Sequence, residues 1–95
     1  MWLVAPKKGP RTQTNVSVTT SATLLNTGKP SRKSVTFQNL GAETVYIGPS
    51  TVTNSGASRG FALFAGTSFT DTASDGDWYA ISTSTTNIVH VIEVV

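Results

Sequence analysis

The feature that most constrains this chain is a change of side at every second residue. Val16 and Val18 alternate with Ser17 and Thr19, Val35 and Phe37 with Thr36 and Gln38, and Val45 and Ile47 with Thr44 and Tyr46. Successive side chains of a β-strand point to opposite faces, so each run has one apolar and one polar face. Turn formers cut each run short: Asn26-Thr27-Gly28-Lys29-Pro30, Leu40-Gly41-Ala42-Glu43, Gly48-Pro49, Asn54 to Gly60, Gly66 and Asp75-Gly76. Further short strands are predicted at Ala22 to Leu25, Thr51 to Thr53, Phe61 to Ala65, Thr67 to Thr70, Trp78 to Ser82 and Ile88 to Val95. No apolar period of 3.6 persists anywhere. Roughly seven or eight short strands between turn signals predict an all-β fold, a single small β-sandwich or barrel of jelly-roll-like type. Val35 to Gln38 and Thr44 to Ile47, with Leu40 to Glu43 between them, read as a hairpin.

A chain of 95 residues is one domain at most. It is 38% hydrophobic and only 13% charged, against about 25% charged in ordinary soluble domains, and Thr, Ser, Gly and Asn take the place of the charge. That balance argues against a disordered chain, and no apolar run approaches the ~20 residues of a membrane span. The opening Met1 to Pro10 does not resemble a secretory signal, and the absence of cysteine excludes disulfides and thiolate metal sites, so the chain is expected to be made in a cytoplasm. Residues 1–15 carry Pro6, Gly9 and Pro10 among cations and show no period; they read as an extended basic N-terminal arm ahead of a β domain at 16–95. Trp2, Leu3 and Val4 beside Lys7, Lys8 and Arg11 give the arm an apolar tip and a basic stem, a combination suited to docking. Cations crowd the first third, whereas Glu43, Asp71, Asp75, Asp77 and Glu93 come later.

Catalytic chemistry finds little to work with. Any triad would need His90, the single histidine, which lies inside the last predicted strand on a face shared with Ile88 and Ile92. Asp71, Asp75 and Asp77 in a Gly-containing loop form the best metal candidate, for calcium, although their spacing does not fit an EF-hand and Asp75-Gly76 makes a good turn without an ion. No phosphate-binding glycine motif is present. Three basic arm residues are a weak nucleic-acid footprint. Tyr46, Trp78 and Tyr79 could line a sugar-binding face, though Trp78 and Tyr79 must point to opposite sides of a strand. The reading is therefore non-enzymatic, without cofactor. The last strand is apolar on both sides, so it is either central and covered on both sides or half of an interface, with Val89, Val91 and Val95 as the candidate oligomer contacts.

Arg32 to Gly41, Val45-Tyr46-Ile47-Gly48, Gly60-Phe61-Ala62-Leu63 with Ala65-Gly66, Asp77 to Ser82 and Val91-Ile92-Glu93-Val94 together resemble the small β-rich virion structural proteins of tailed bacteriophages. The resemblance covers Arg32 to Val95 and excludes the arm. It implies a capsid decoration, or cement, protein that binds the major capsid protein on the outside of the head; the apolar last strand and the small core add the expectation of a homotrimer at local symmetry axes. A head-to-tail, tail or fibre-attachment component is the alternative within the same class, and a carbohydrate-binding module the alternative outside it. The implied location is the virion surface.

Overall fold

The computed structural model describes residues 10–95. They form eight strands and no helix: β1 (Arg11–Val18), β2 (Thr23–Asn26), β3 (Ser34–Asn39), β4 (Val45–Gly48), β5 (Phe61–Leu63), β6 (Ser68–Asp71), β7 (Trp78–Ser82) and β8 (Asn87–Val94). Two four-stranded antiparallel sheets result, with orders β1-β8-β3-β6 (sheet I) and β2-β7-β4-β5 (sheet II). β1 pairs with β8, β2 with β7, β3 with β6 and β4 with β5, which is one long hairpin with its tip at β4-β5. Pairing of β3 with β8 and of β4 with β7 rolls that hairpin into two layers. This is the strand order of a jelly roll, and it settles the architecture as a sandwich.

The rolled connectivity corrects two expectations. β3 and β4 do not form a hairpin, because the turn between them carries the chain from sheet I to sheet II. The turn from β4 to β5 is the one connection among these strands that stays within a sheet. Thr51 to Thr53 is not a strand: only an isolated bridge joins Thr53 to Arg59, and Val52 is buried as a plug under Gly48 and Gly60. Arg11 to Asn15, read as part of the arm, belong to β1 and pair with Val94 to His90.

Alternation works as the sequence implies. Val35 and Phe37 of β3, Val45 and Ile47 of β4, Leu63 of β5, Ala80 of β7 and Val89 and Val91 of β8 fill the space between the sheets, with Val18 and Leu25 beside them. The buried polar side chains sit at the two ends of this core. At one end Asn39 Nδ2 donates to the carbonyls of Glu43 (2.6 Å) and Leu63 (2.9 Å), and Asn87 Nδ2 donates to Ser82 Oγ at 2.7 Å. Gly41 has to be glycine there, since a Cβ would collide with the Asn87 amide. The other end is closed by Arg32 and Glu93.

Candidate interaction surfaces

Arg32 lies just before β3 with its side chain 1% exposed, and Glu93 near the end of β8 with its side chain 2% exposed. Nε of Arg32 reaches Glu93 Oε2 at 3.4 Å, Nη1 donates to the carbonyls of Gly76 (2.9 Å) and Ser74 (3.3 Å), and Nη2 donates to the Thr27 carbonyl (3.1 Å) and to Asn26 Oδ1. Lys29 Nζ, 46% exposed, closes on the other carboxylate oxygen at 2.7 Å. Burial pushes the Glu93 carboxyl up, but the bonds from Lys29 and Arg32 outweigh it and hold the group below its ordinary value. The guanidinium thereby ties β8 to the β2-β3 and β6-β7 loops. Two cations of the first third, Lys29 and Arg32, are thus neighbours in space of the late carboxylate Glu93.

The acidic loop does not form a metal cage. Asp71 turns inward to accept from Ser74 Oγ (2.5 Å), Ala73 N (2.9 Å) and the Trp78 indole nitrogen (3.0 Å). Burial opposes its charge, but these donors prevail and lower its pKa. Asp77 accepts from Gly28 N at 2.6 Å. The candidate Asp71, Asp75 and Asp77 set is corrected accordingly: no group of three His, Cys, Asp or Glu side chains gathers among the described residues. His90 stands opposite Asn15 on one side and Gln38 on the other, neither of them an acid or a nucleophile.

The two outer faces differ in chemistry. On sheet II, Leu24 lies opposite Tyr79, and Tyr46 opposite both Ile81 and Ala62. The Arg59 guanidinium sits 5.3 Å over the Tyr46 ring, a cation–π arrangement. This face is aromatic and apolar with one cation. Trp78 is absent from it, since it packs inward against Phe37 with ring centroids 5.6 Å apart. The expected aromatic trio is therefore divided, with Tyr46 and Tyr79 outside and Trp78 inside. On sheet I the rungs are Asn15-His90-Gln38-Ser68 and Gln13-Ile92-Thr36-Thr70. Thr36 and Thr70 hydroxyls are bonded to each other at 2.8 Å.

Between the faces, at the β5-β6 side, an aromatic line runs from the core to solvent: Phe37 to Trp78, Trp78 to Phe69 (5.7 Å) and Phe69 to Phe61 (5.2 Å). Phe61 is 60% exposed and Phe64, in the following turn, 61% exposed. Phe61 and Trp78 share a hollow of about 300 Å³ with Ile47 and Pro49.

The sequence-derived interface needs correction. Val89 and Val91 are buried in this chain's own core and cannot meet a partner, while Val95 is half-buried. The side of β8 left for contacts is Ile88, His90, Ile92 and Val94. Of the arm residues, Arg11 is an exposed residue at the start of β1, and Trp2, Leu3, Val4, Lys7 and Lys8 lie outside the described residues. No protein-family model, curated protein or solved structure matches the chain.

Proposed function

We propose that this chain is a non-enzymatic virion surface protein of a tailed bacteriophage, a capsid decoration protein that docks on the major capsid protein and braces the shell. The observation that carries this reading is the outer face of sheet II, where Leu24 lies opposite Tyr79 and Tyr46, capped by Arg59, covers the buried Ile81, with the exposed Phe61 at the neighbouring β5-β6 edge. Tyr, Phe and Arg are the residues enriched at protein interfaces, where rigid aromatic area is buried at low entropic cost. The jelly roll is a fold shared by viral capsid and lectin domains, an analogy that favours the class without assigning it. A trimer around a local symmetry axis of the shell would multiply modest contacts through avidity, with the basic arm adding a second point of attachment.

The test is binding of purified protein to shells that lack it. Tyr46→Ala and Tyr79→Ala should each weaken binding by about tenfold or more, as expected of aromatic anchors costing over ~1.4 kcal/mol. Deletion of residues 1–9 should weaken binding and leave the body folded; the cut stops there because Arg11 to Val18 pair with β8. Mass spectrometry of virions should give a copy number near that of the capsid protein. Only a few copies per particle would favour a neck, tail or fibre-base role, and absence from the particle would overturn the reading.

A further inference from the structure

The outer face of sheet I is built differently from a protein-docking surface. β8 lays an aliphatic stripe along its middle, Ile88, Ile92 and Val94, interrupted by His90. Amides and hydroxyls flank the stripe: Gln13 and Asn15 on β1, Thr36 and Gln38 on β3. Within these two rungs no side chain carries a fixed charge, and no aromatic anchor is present. At the centre is a depression of about 190 Å³ lined by Thr36, Gln38, Ser68, His90 and Ile92. His90 Nε2 is enclosed and has no hydrogen-bond partner among the described residues. Buried polar atoms are nearly always paired, with protein or with ordered water, so an orphan beside a polar depression marks a position that a water, or a ligand hydroxyl replacing it, would fill.

We propose that this face is a binding site for a neutral glycan, with one sugar ring seated over the His90 depression. A sugar ring presents C–H faces and a rim of hydroxyls. The aliphatic stripe receives the first, and the amide and hydroxyl columns, which both donate and accept, receive the second. The absence of charge from both rungs around the depression matches an uncharged ligand; Arg11, opposite Val94, places one cation at the far end of the stripe. A rung crosses three inter-strand gaps of about 4.8 Å, ~14 Å in all, room for a short oligosaccharide. The depression is smaller than the ~300–1,000 Å³ of ordinary small-molecule pockets, which suits a single ring. This inference stands on sheet I and the docking reading on sheet II, so either can fail alone.

The experiment is a ¹⁵N–¹H correlation titration of the full chain with cellohexaose, maltohexaose and hexa-N-acetylchitohexaose. At least one sugar should shift resonances of Asn15, Thr36, Gln38, Ser68 and His90 at millimolar concentration. Gln38→Ala should weaken that binding about tenfold, whereas Tyr46→Ala should titrate like the parent. If Gln38→Ala does not fold, Ser68→Ala makes the same test from the neighbouring strand. The proposal is overturned if none of the three sugars shifts these resonances, or if shifts map to Tyr46 and Tyr79 instead. It is equally overturned if the same resonances move with protein concentration alone, which would make the face a contact between copies.

Discussion

Arg32→Met tests whether the buried guanidinium holds one end of the sandwich together. Methionine keeps the aliphatic stem and removes all the donors. Glu93, 2% exposed, then keeps a single cation, the Lys29 ammonium 2.7 Å away on a side chain that is 46% exposed. The carbonyls of Thr27, Ser74 and Gly76 lose a donor in the same step. Removing one partner from a buried ion pair costs about 3–5 kcal/mol, because the other buried charge loses part of its compensation. A domain of 95 residues has roughly 5–14 kcal/mol to lose, so the variant should be marginal but measurable. In urea, with a slope of about 2 kcal/mol per M, the midpoint should fall by about 2 M with the slope itself unchanged. Lys29→Met, which breaks the exposed half of the same cluster, should cost under ~1 kcal/mol. The double variant Arg32→Met/Glu93→Met should recover much of the single-variant loss, since an uncharged pair leaves no stranded ion. If Arg32→Met cost no more than Lys29→Met, the guanidinium would be an ornament of the loops and the reasoning would be refuted.

Two further outcomes follow from the opposite end of the molecule. The Ser84 hydroxyl (2.5 Å), and the Thr85 hydroxyl and amide (2.8 and 2.9 Å), all donate to the Glu43 carboxylate, and these bonds hold its pKa at about 2 against an ordinary 4.5. A lowered carboxyl stabilises the fold fully above the unfolded value and stops doing so as pH falls through the folded one; the loss should therefore run from about pH 4.5 down to about 2. A carbon-detected titration should show Glu43 still ionised at pH 3.5, and Glu43→Gln should flatten this part of the stability profile; titration at an ordinary value would contradict the geometry. Gly41→Ala should destabilise by about 1–3 kcal/mol, because its Cβ drives into Asn87 and breaks that amide's bonds to Ser82 and to the Glu43 nitrogen. Chemical denaturation of that variant measures the loss, and a stability equal to the parent's would mean that the β8 end of the sheet yields without cost.

The strands were legible because burial of one face forces alternation, and Val35-Thr36-Phe37-Gln38 or Val45-Tyr46-Ile47 shows it plainly. Pairing was not. In a rolled hairpin the partner of β3 is β6, and the neighbour of β3 in sequence, β4, lies in the other sheet. A short turn such as Leu40 to Glu43 looks the same whether it folds a ribbon back or steps it across the core. β8 misled for a subtler reason. Both of its faces are apolar, but the side with Val89 and Val91 also holds Asn87 and Glu93, and polar residues suggest the outside. They are inside because each has a partner far away in sequence: Asn87 bonds to Ser82, and Glu93 to Arg32 across 61 positions. Tyr46 was readable as outward from its alternation with Val45 and Ile47, whereas its grouping with Tyr79 on one face, apart from Trp78, needed the strand order and register.

The location of the buried polar groups bears on how both faces can be used. Arg32 with Glu93 closes one end of the sandwich, and Asn39 with Asn87 closes the other, so the network that fixes loops and register is confined to the ends. The outer rungs of sheet I and the aromatic face of sheet II take no part in it. Substitutions there should change contacts without disturbing the fold, since surface positions away from such features usually shift stability by no more than about 0.5 kcal/mol. A thin core closed at its ends therefore leaves two broad faces whose composition can vary without loss of the fold, which is the physical reason the aromatic and the hydroxyl-rich face can differ so widely on one 95-residue chain.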